Sequence, residues 1–253
     1  MKIDRWLLLL PVLCLRVSAA TISLPAVADT SLFETNPDFN LGGTTLLAGT
    51  NQRYSRSRAL FQFDLTALPA GAVVTGAEVS LYVTRRPDPD QHGGPSDSDF
   101  SLHRLFVSWG EGTGSNATGS AALPGDATWN ERQYGSTAWA TPGGLIGVDY
   151  AETASATTAI GDVGAYLWQS TPDLVADVKA WQTNPLSNFG FILVSQGEAT
   201  LGSGRRFGAN EQPGGLIPPA QLIVTYTVVP EPSAASIFLI GVAGLAFLRI
   251  RRG

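Results

Sequence analysis

Cysteine is almost missing from this chain: Cys14 stands alone among 253 residues. No internal disulfide and no paired thiolate site is open to it. Histidine is as scarce, with only His92 and His103, and these two do not sit at the spacing that would put them on one face of a metal-binding helix. A Gly-x-Ser-x-Gly elbow is also absent, which removes the usual sequence sign of an α/β serine hydrolase. Positive charge is short in the middle of the chain. Of 16 basic and 21 acidic residues, six and two lie in residues 1–19 and 230–253, leaving 10 against 19 between them and a net charge of −9. So acidic a surface disfavours nucleic acid or an anionic membrane as its partner, because both call for a cationic field, and no nucleic-acid partner is expected. No internal repeat and no long linker divides the stretch 20–228, which is ample for one core.

What is present at the two ends has a different character. Lys2 and Arg5 precede an apolar stretch from Leu7 to Leu15, broken only by Pro11, and Val17-Ser18-Ala19 offers small residues for cleavage. Residues 1–19 therefore read as a secretory signal peptide. Cys14 lies inside it, behind Pro11-Val12-Leu13, which does not resemble a lipoprotein box. At the other end, Ala234 to Leu248 is uncharged and is closed by Arg249, Arg251 and Arg252. At about 1.5 Å per residue this helix would span roughly 22 Å, short of a hydrocarbon core of about 30 Å. Snorkelling arginine stems and local thinning of the bilayer make up the difference. The arginine cluster belongs on the cytoplasmic side, so everything before Val229 is expected outside.

The order Val229-Pro230-Glu231-Pro232, short apolar span, terminal arginines resembles the PEP-CTERM sorting signal of Gram-negative bacteria. The resemblance assigns residues 229–253 to sorting. It implies an exosortase-like membrane enzyme that recognises Pro230, Glu231 and Pro232, transient residence in the membrane, and an inner-membrane precursor destined for the cell envelope or extracellular matrix. It also implies a link to exopolysaccharide production.

Between the ends the pattern has period two. In Arg56 to Phe63, one parity gives Ala59, Phe61 and Phe63 and the other gives Arg56, Arg58 and Gln62 with Leu60, which predicts a strand with one buried face. Val79, Leu81 and Val83 alternate with Ser80, Tyr82 and Thr84, and Leu222 to Val228 repeats the pattern. Further strands are predicted at Ala26–Phe33, Thr44–Ala48, Phe100–Val107 and Phe189–Ser195, separated by turn clusters such as Asn36-Pro37-Asp38 and Leu68-Pro69-Ala70-Gly71. One helix is predicted: Thr171 caps it, Pro172 opens it, Leu174, Val175, Val178 and Trp181 share a face, and Asn184-Pro185 ends it. Many short strands and one short helix point to an all-β fold, an antiparallel jelly-roll β-sandwich.

The segments Ala28-Asp29-Thr30, Asn36 to Gly43, Arg58 to Leu65, Leu68 to Val74, Trp109-Gly110-Glu111-Gly112 and Thr128-Trp129 follow one another in an order similar to that of DNRLRE domains. Those are jelly-roll modules of carbohydrate-binding type on secreted bacterial proteins, some associated with acidic polysaccharides. The resemblance weakens between Trp139 and Ser170. It implies extracellular polysaccharide as the partner.

Candidate chemistry is sparse. Glu111 and Glu131 both neighbour tryptophans and could supply the acid and base of a glycosidase or lyase if they faced one groove. The loop Pro87 to Asp99 is rich in aspartate around His92; it could gather oxygen ligands for structural Ca²⁺, but it lacks the EF-hand order and reads first as a solvated loop. No metal ligand set and no cofactor is assigned. His103 alternates with Leu102 and Arg104 and reads as a surface or edge histidine. Trp109 and Trp129 read first as core, while Tyr134 and Trp139 stand equally as core or as rings for stacking on sugars. Arg56 and Arg58, with Arg205-Arg206 as a further pair, could meet uronate carboxylates through forked donors, or pair with neighbouring Asp and Glu. The expectation is an exported, noncatalytic protein that binds or organises extracellular polysaccharide; a structural matrix protein without glycan binding and a polysaccharide lyase or hydrolase are the rivals.

Overall fold

A computed structural model describes residues 18–88, 97–116, 118–211 and 217–228. The signal segment through Val17, the Pro230-Glu231-Pro232 motif, the apolar span with Arg249, Arg251 and Arg252, and His92 with most of its loop lie outside the described residues. No helix among the described residues is long and apolar enough to cross a membrane.

Fourteen strands, one α-helix and one short 3-10 turn (Pro185–Ser187) make up the regular structure of the described residues. The first half holds β1 (Ser18–Phe33), β2 (Phe39–Asn40), β3 (Leu46–Thr50), β4 (Arg56–Phe63), β5 (Ala72–Arg85) and β6 (Ser98–Arg104). The second holds β7 (Ser120–Ala121), β8 (Glu131–Gln133), β9 (Thr137–Ala138), β10 (Ala156–Ile160), β11 (Gly164–Trp168), α1 (Pro172–Thr183), β12 (Phe191–Ser195), β13 (Arg205–Phe207) and β14 (Gln221–Val228). Ser18 and Ala19, placed by the sequence in the leader, open β1 opposite Val228 and Thr227.

All pairings between these strands are antiparallel, and the chain forms a β-sandwich whose two sheets share strands. One sheet runs β1-β14-β5-β13-β3, with β11 on the other edge of β5; the second runs β1-β4-β12-β6-β10, with β3 joining β4 at its start. β1 changes sheets midway. Ser18–Pro25 pair with β14 and Ala26–Phe33 with β4, and the register slips between Ala26 and Ala28 where the strand turns the corner, as sandwich corners require. The inner faces interdigitate through Phe61, Phe63, Val79, Leu81, Phe191, Leu222 and Val224, all fully buried. Ala59, Phe61 and Phe63 thus take the inward parity expected of them.

Helix α1 plugs this core. Thr171 Oγ1 accepts from Leu174 N, Pro172 occupies the first turn, and Leu174, Val178 and Trp181 are buried, with Trp181 edge-on to Phe191 at 4.8 Å between ring centres. The Thr171 to Asn184 limits read from the sequence coincide with those observed.

The opposite parity of β4 corrects the expectation of a single buried face. The excursion between β6 and β10 folds back over the outer face of the second sheet. There Leu32, Leu60, Leu105, Ala127, Trp129, Trp139, Tyr150 and Ile192 form a second apolar cluster. Period-two alternation reports one face packed on a sheet partner; it carries no sign of a loop returning to cover the other. Leu60, the apolar residue among the outward parity, was the trace of that cover. His103, read as a surface or edge residue, is also buried under this layer, 5.4 Å from the Tyr150 ring, with Nδ1 2.8 Å from Ala151 O. Burial, above all, holds its imidazole below the ordinary histidine value.

Candidate functional site

The residues put forward by the sequence as a cationic glycan-reading face sit in three different environments. Arg56, at the start of β4, is half exposed and makes a forked contact to Glu34, Nε to Oε2 at 3.1 Å and Nη2 to Oε1 at 2.6 Å. Arg58 is buried. Its Nε and Nη2 donate to Glu198 Oε1 and Oε2 at 2.8 Å each, and Nη1 donates to the carbonyls of Gly143 and Gly144 and to Tyr150 Oη. Both guanidinium groups stack over Trp129, at 5.2 and 5.7 Å from its ring centre. Arg58 does leave the outer side of its sheet, as its parity implies, but the excursion covers it, and of the two readings left open for Arg56 and Arg58 the pairing with neighbouring glutamates is the one observed. The five hydrogen bonds of Arg58 all lie inside the fold, because a cation beside the second apolar cluster is tolerated only when paired and hydrogen-bonded. Arg205 is likewise buried, donating to the carbonyls of Gly161, Ser203 and Gly204, while Arg206 remains half-buried.

The aromatic candidates divide as well. Trp139 is 4 % exposed and its Nε1 donates to Thr128 O at 2.9 Å, so its ring is core and is not a stacking platform. Trp129 is core, as read from the sequence; Trp109 is half-buried against the same cluster and donates from Nε1 to Phe189 O. Tyr134 is half-buried and lies beside Asn130 and Glu131 along a shallow surface hollow that also holds Asp38.

The excursion that buries Arg58 also builds a groove of about 630 Å³ against the part of the second sheet it leaves open. Its floor is the outer face of three neighbouring strands. Ser101 on β6 stands opposite Thr157 on β10, with their hydroxyl oxygens 2.8 Å apart, and opposite Val194 on β12; Gln196 Nε2 donates to Ser101 Oγ at 2.9 Å. One wall comes from the excursion, with the exposed side chains of Ile146 and Glu152. Glu198, already held by Arg58, also lines this groove. The Arg58–Glu198 pair thus ties the floor to the wall. Such a surface presents hydroxyl, amide and carboxylate groups beside an apolar patch, the combination that polyhydroxylated rings meet by hydrogen bonding and C–H contact. The signal the sequence held was the outward parity of Ser101 beside Leu102; the wall residues had no pattern to reveal them.

Carboxylates gather elsewhere. Asp29 on β1 is 1 % exposed; its backbone N–H donates to Glu111 Oε1 at 2.8 Å, and its Oδ2 accepts from Asn210 N at 2.7 Å. One oxygen each from Asp29, Glu111 and Glu211 lies within 4.8 Å of the others, and among the described residues this is the one group of acids whose oxygens could meet on a cation. Burial pushes the Asp29 carboxyl up to about 8, opposed by the Asn210 N–H and reinforced by the charges of Glu211 and Glu111. Burial raises Glu111 also. Glu131, weighed with Glu111 as an acid and base pair, is engaged in its own hairpin, where Oε2 accepts from Gly135 N at 2.7 Å.

No family model and no curated protein matches this chain.

Proposed function

We propose that the chain is an exported, noncatalytic cell-envelope or matrix protein whose sandwich binds extracellular polysaccharide in the groove over Ser101, Thr157 and Gln196. The observation that carries this reading is the groove itself: hydroxyl and amide groups on a sheet face, walled by an apolar side chain, in a hollow of about 630 Å³. The two carboxyls weighed for catalysis are each committed to backbone donors in separate places, which favours binding over bond cleavage. The strand-swapping antiparallel sandwich is in keeping with a jelly roll of DNRLRE type. The tail, with Pro230, Glu231 and Pro232 and the arginine cluster, would be handled by an exosortase-like enzyme in a Gram-negative envelope.

Affinity electrophoresis through gels containing extracellular polysaccharides tests the reading. Wild-type protein should be retarded by at least one of them, and Gln196→Ala combined with Thr157→Ala should run unretarded while keeping its melting temperature. Free mobility in every gel leaves the structural-matrix alternative, and release of reducing ends or unsaturated products establishes the enzyme. Alanines at Pro230, Glu231 and Pro232 should leave export intact and hold the precursor at the inner membrane; normal processing of that variant overturns the sorting reading.

A further inference from the structure

A second groove, of about 310 Å³, lies at the corner where β3 passes between the sheets, and its chemistry is opposite in sign to the rest of the molecule. Arg85, Arg86, Arg205 and Arg206 all line it, although residues 20–229 carry a net charge of −9. Two of the four have internal work: Arg86 pairs with Asp162 at 2.9 Å and Arg205 is spent on carbonyls. The other two do not. Arg85, exposed at the end of β5, and Arg206 on β13 are direct cross-strand partners, and among the described residues neither makes an ion pair.

Like charges directly opposite on antiparallel strands are destabilising, so this pair costs the fold something. Burial first, and the Arg85 charge second, pull the Arg206 guanidinium below its ordinary value, with no carboxylate acting in the other direction. A third group in the same groove lacks a protein acceptor and is also cut off from water. Gln52 lines it from the turn after β3, and its Nε2 is shut off from solvent without an acceptor. A buried donor left unpaired is costly, because it has given up its water without gaining an acceptor. Among the described residues the two guanidinium groups have no carboxylate and the Gln52 amide donor no acceptor, so the groove offers donors and positive charge that suit an acceptor bearing negative charge.

We propose that Arg85, Arg206 and Gln52 form an oxyanion-binding site, which takes a carboxylate or sulfate group presented by an acidic ligand. The forked donors of the two arginines meet oxygens of one group, and Gln52, whose Nε2 is enclosed in the unliganded fold, meets it once its side chain turns into the groove. Ligand binding relieves the Arg85–Arg206 repulsion, so occupancy stabilises the sandwich at its corner. The site lies apart from the groove over Ser101 and Thr157 and does not need it: an acidic polymer and a free inorganic anion both supply the required group.

Three probes separate these sources in calorimetric titrations of the full chain: a uronic-acid oligosaccharide, a neutral oligosaccharide of equal length, and inorganic sulfate. Binding of the uronate or of sulfate should weaken with salt and fall roughly tenfold or more in Arg206→Gln and in Arg85→Gln, as expected when a charged hydrogen bond is lost. Arg85→Glu provides the decisive variant, since it creates an opposite-charge pair with Arg206. It should abolish anion binding and raise the melting temperature, so a loss of binding cannot be laid to misfolding. Sulfate binding alone supports the site and assigns it to small anions; uronate binding supports it as a glycan subsite. Anion binding that survives Arg85→Glu overturns the site while leaving polysaccharide binding in the other groove intact, as does binding of the neutral oligosaccharide alone. The absence of any anion effect on titration or melting also overturns it.

Discussion

Arg58 and Glu198, 140 residues apart in sequence, meet through two parallel hydrogen bonds of 2.8 Å beneath the layer that covers the second sheet. The pair sits at the junction of β4, the loop after β12 and the excursion carrying Gly143, Gly144 and Tyr150. Removing one member leaves the other as an unpaired charge in low dielectric. Arg58→Ala should therefore cost about 3–5 kcal/mol. Arg56→Ala, which removes a half-exposed cation from Glu34, should cost about 1 kcal/mol or less. Urea denaturation of the two variants makes the comparison, and equal losses would reject the distinction between a buried and a surface pair.

Trp139 gives a second contrast with its sequence neighbourhood. It is enclosed by the second cluster and its indole N–H satisfies the Thr128 carbonyl. Trp139→Ala should lose about 3–5 kcal/mol through the cavity it leaves, and Trp139→Phe about 1–3 kcal/mol through the stranded carbonyl. Neither should alter glycan retardation beyond what unfolding explains. A stable Trp139→Ala variant with selectively lost binding would restore the ring to a recognition role.

The strands of the main core were legible because their inward residues alternate without interruption: Phe61 and Phe63, Val79 to Val83, Leu222 and Val224 all lie where the parity put them. The helix was legible from Thr171, Pro172 and the spacing of Leu174, Val178 and Trp181. β13, only three residues long between glycine-rich turns, carried too little pattern to be seen. Gln62, read as plainly outward, is pinned by Nε2 to Asn188 O at 2.5 Å, because the segment after α1 returns beside β4. Outward parity shows only where a side chain leaves its own sheet. What it meets afterwards depends on excursions with no periodicity, and both proposed grooves and the burial of Arg58 belong to that level.

Gly190 illustrates how tightly one such return is fitted. Its φ is +76°, and a Cβ there would fall 2.1 Å from Phe61 O and 2.8 Å from Gln62 Cα. Gly71 has a similar φ of +73° but open space around it. Gly71→Ala should cost only the left-handed strain of about 1–2 kcal/mol. Gly190→Ala must add displacement of backbone from β4 and should lose clearly more, with Phe191 and Trp181 showing altered near-ultraviolet dichroism. Equal melting temperatures for the two variants would show that the approach of Gly190 to β4 is looser than its geometry indicates.

The carboxyl of Asp29 predicts a pH dependence whose sign follows from its burial. Its folded pKa of about 8 lies above the value of about 3.9 for an unfolded aspartate. Between those limits the native state holds a proton that the unfolded state has released. The contribution of this group is therefore complete below about pH 4, declines as pH rises and is exhausted above about pH 8, with a slope of at most about 1.4 kcal/mol per pH unit. Glu111, also raised by burial, acts with the same sign. Glu34, held down by its hydrogen bonds to Arg56, acts with the opposite sign and loses its contribution as the medium becomes acid, so the total curve mixes the two. Asp29→Asn isolates the buried group: the amide oxygen can still accept from Asn210 N, and nothing titrates. Stability measured by urea denaturation at intervals from about pH 4 to about pH 8 should fall in the wild type relative to the variant, the difference narrowing or reversing at the alkaline end. Parallel curves would show that Asp29 is ionised in the native state throughout, with its charge balanced by something other than a proton.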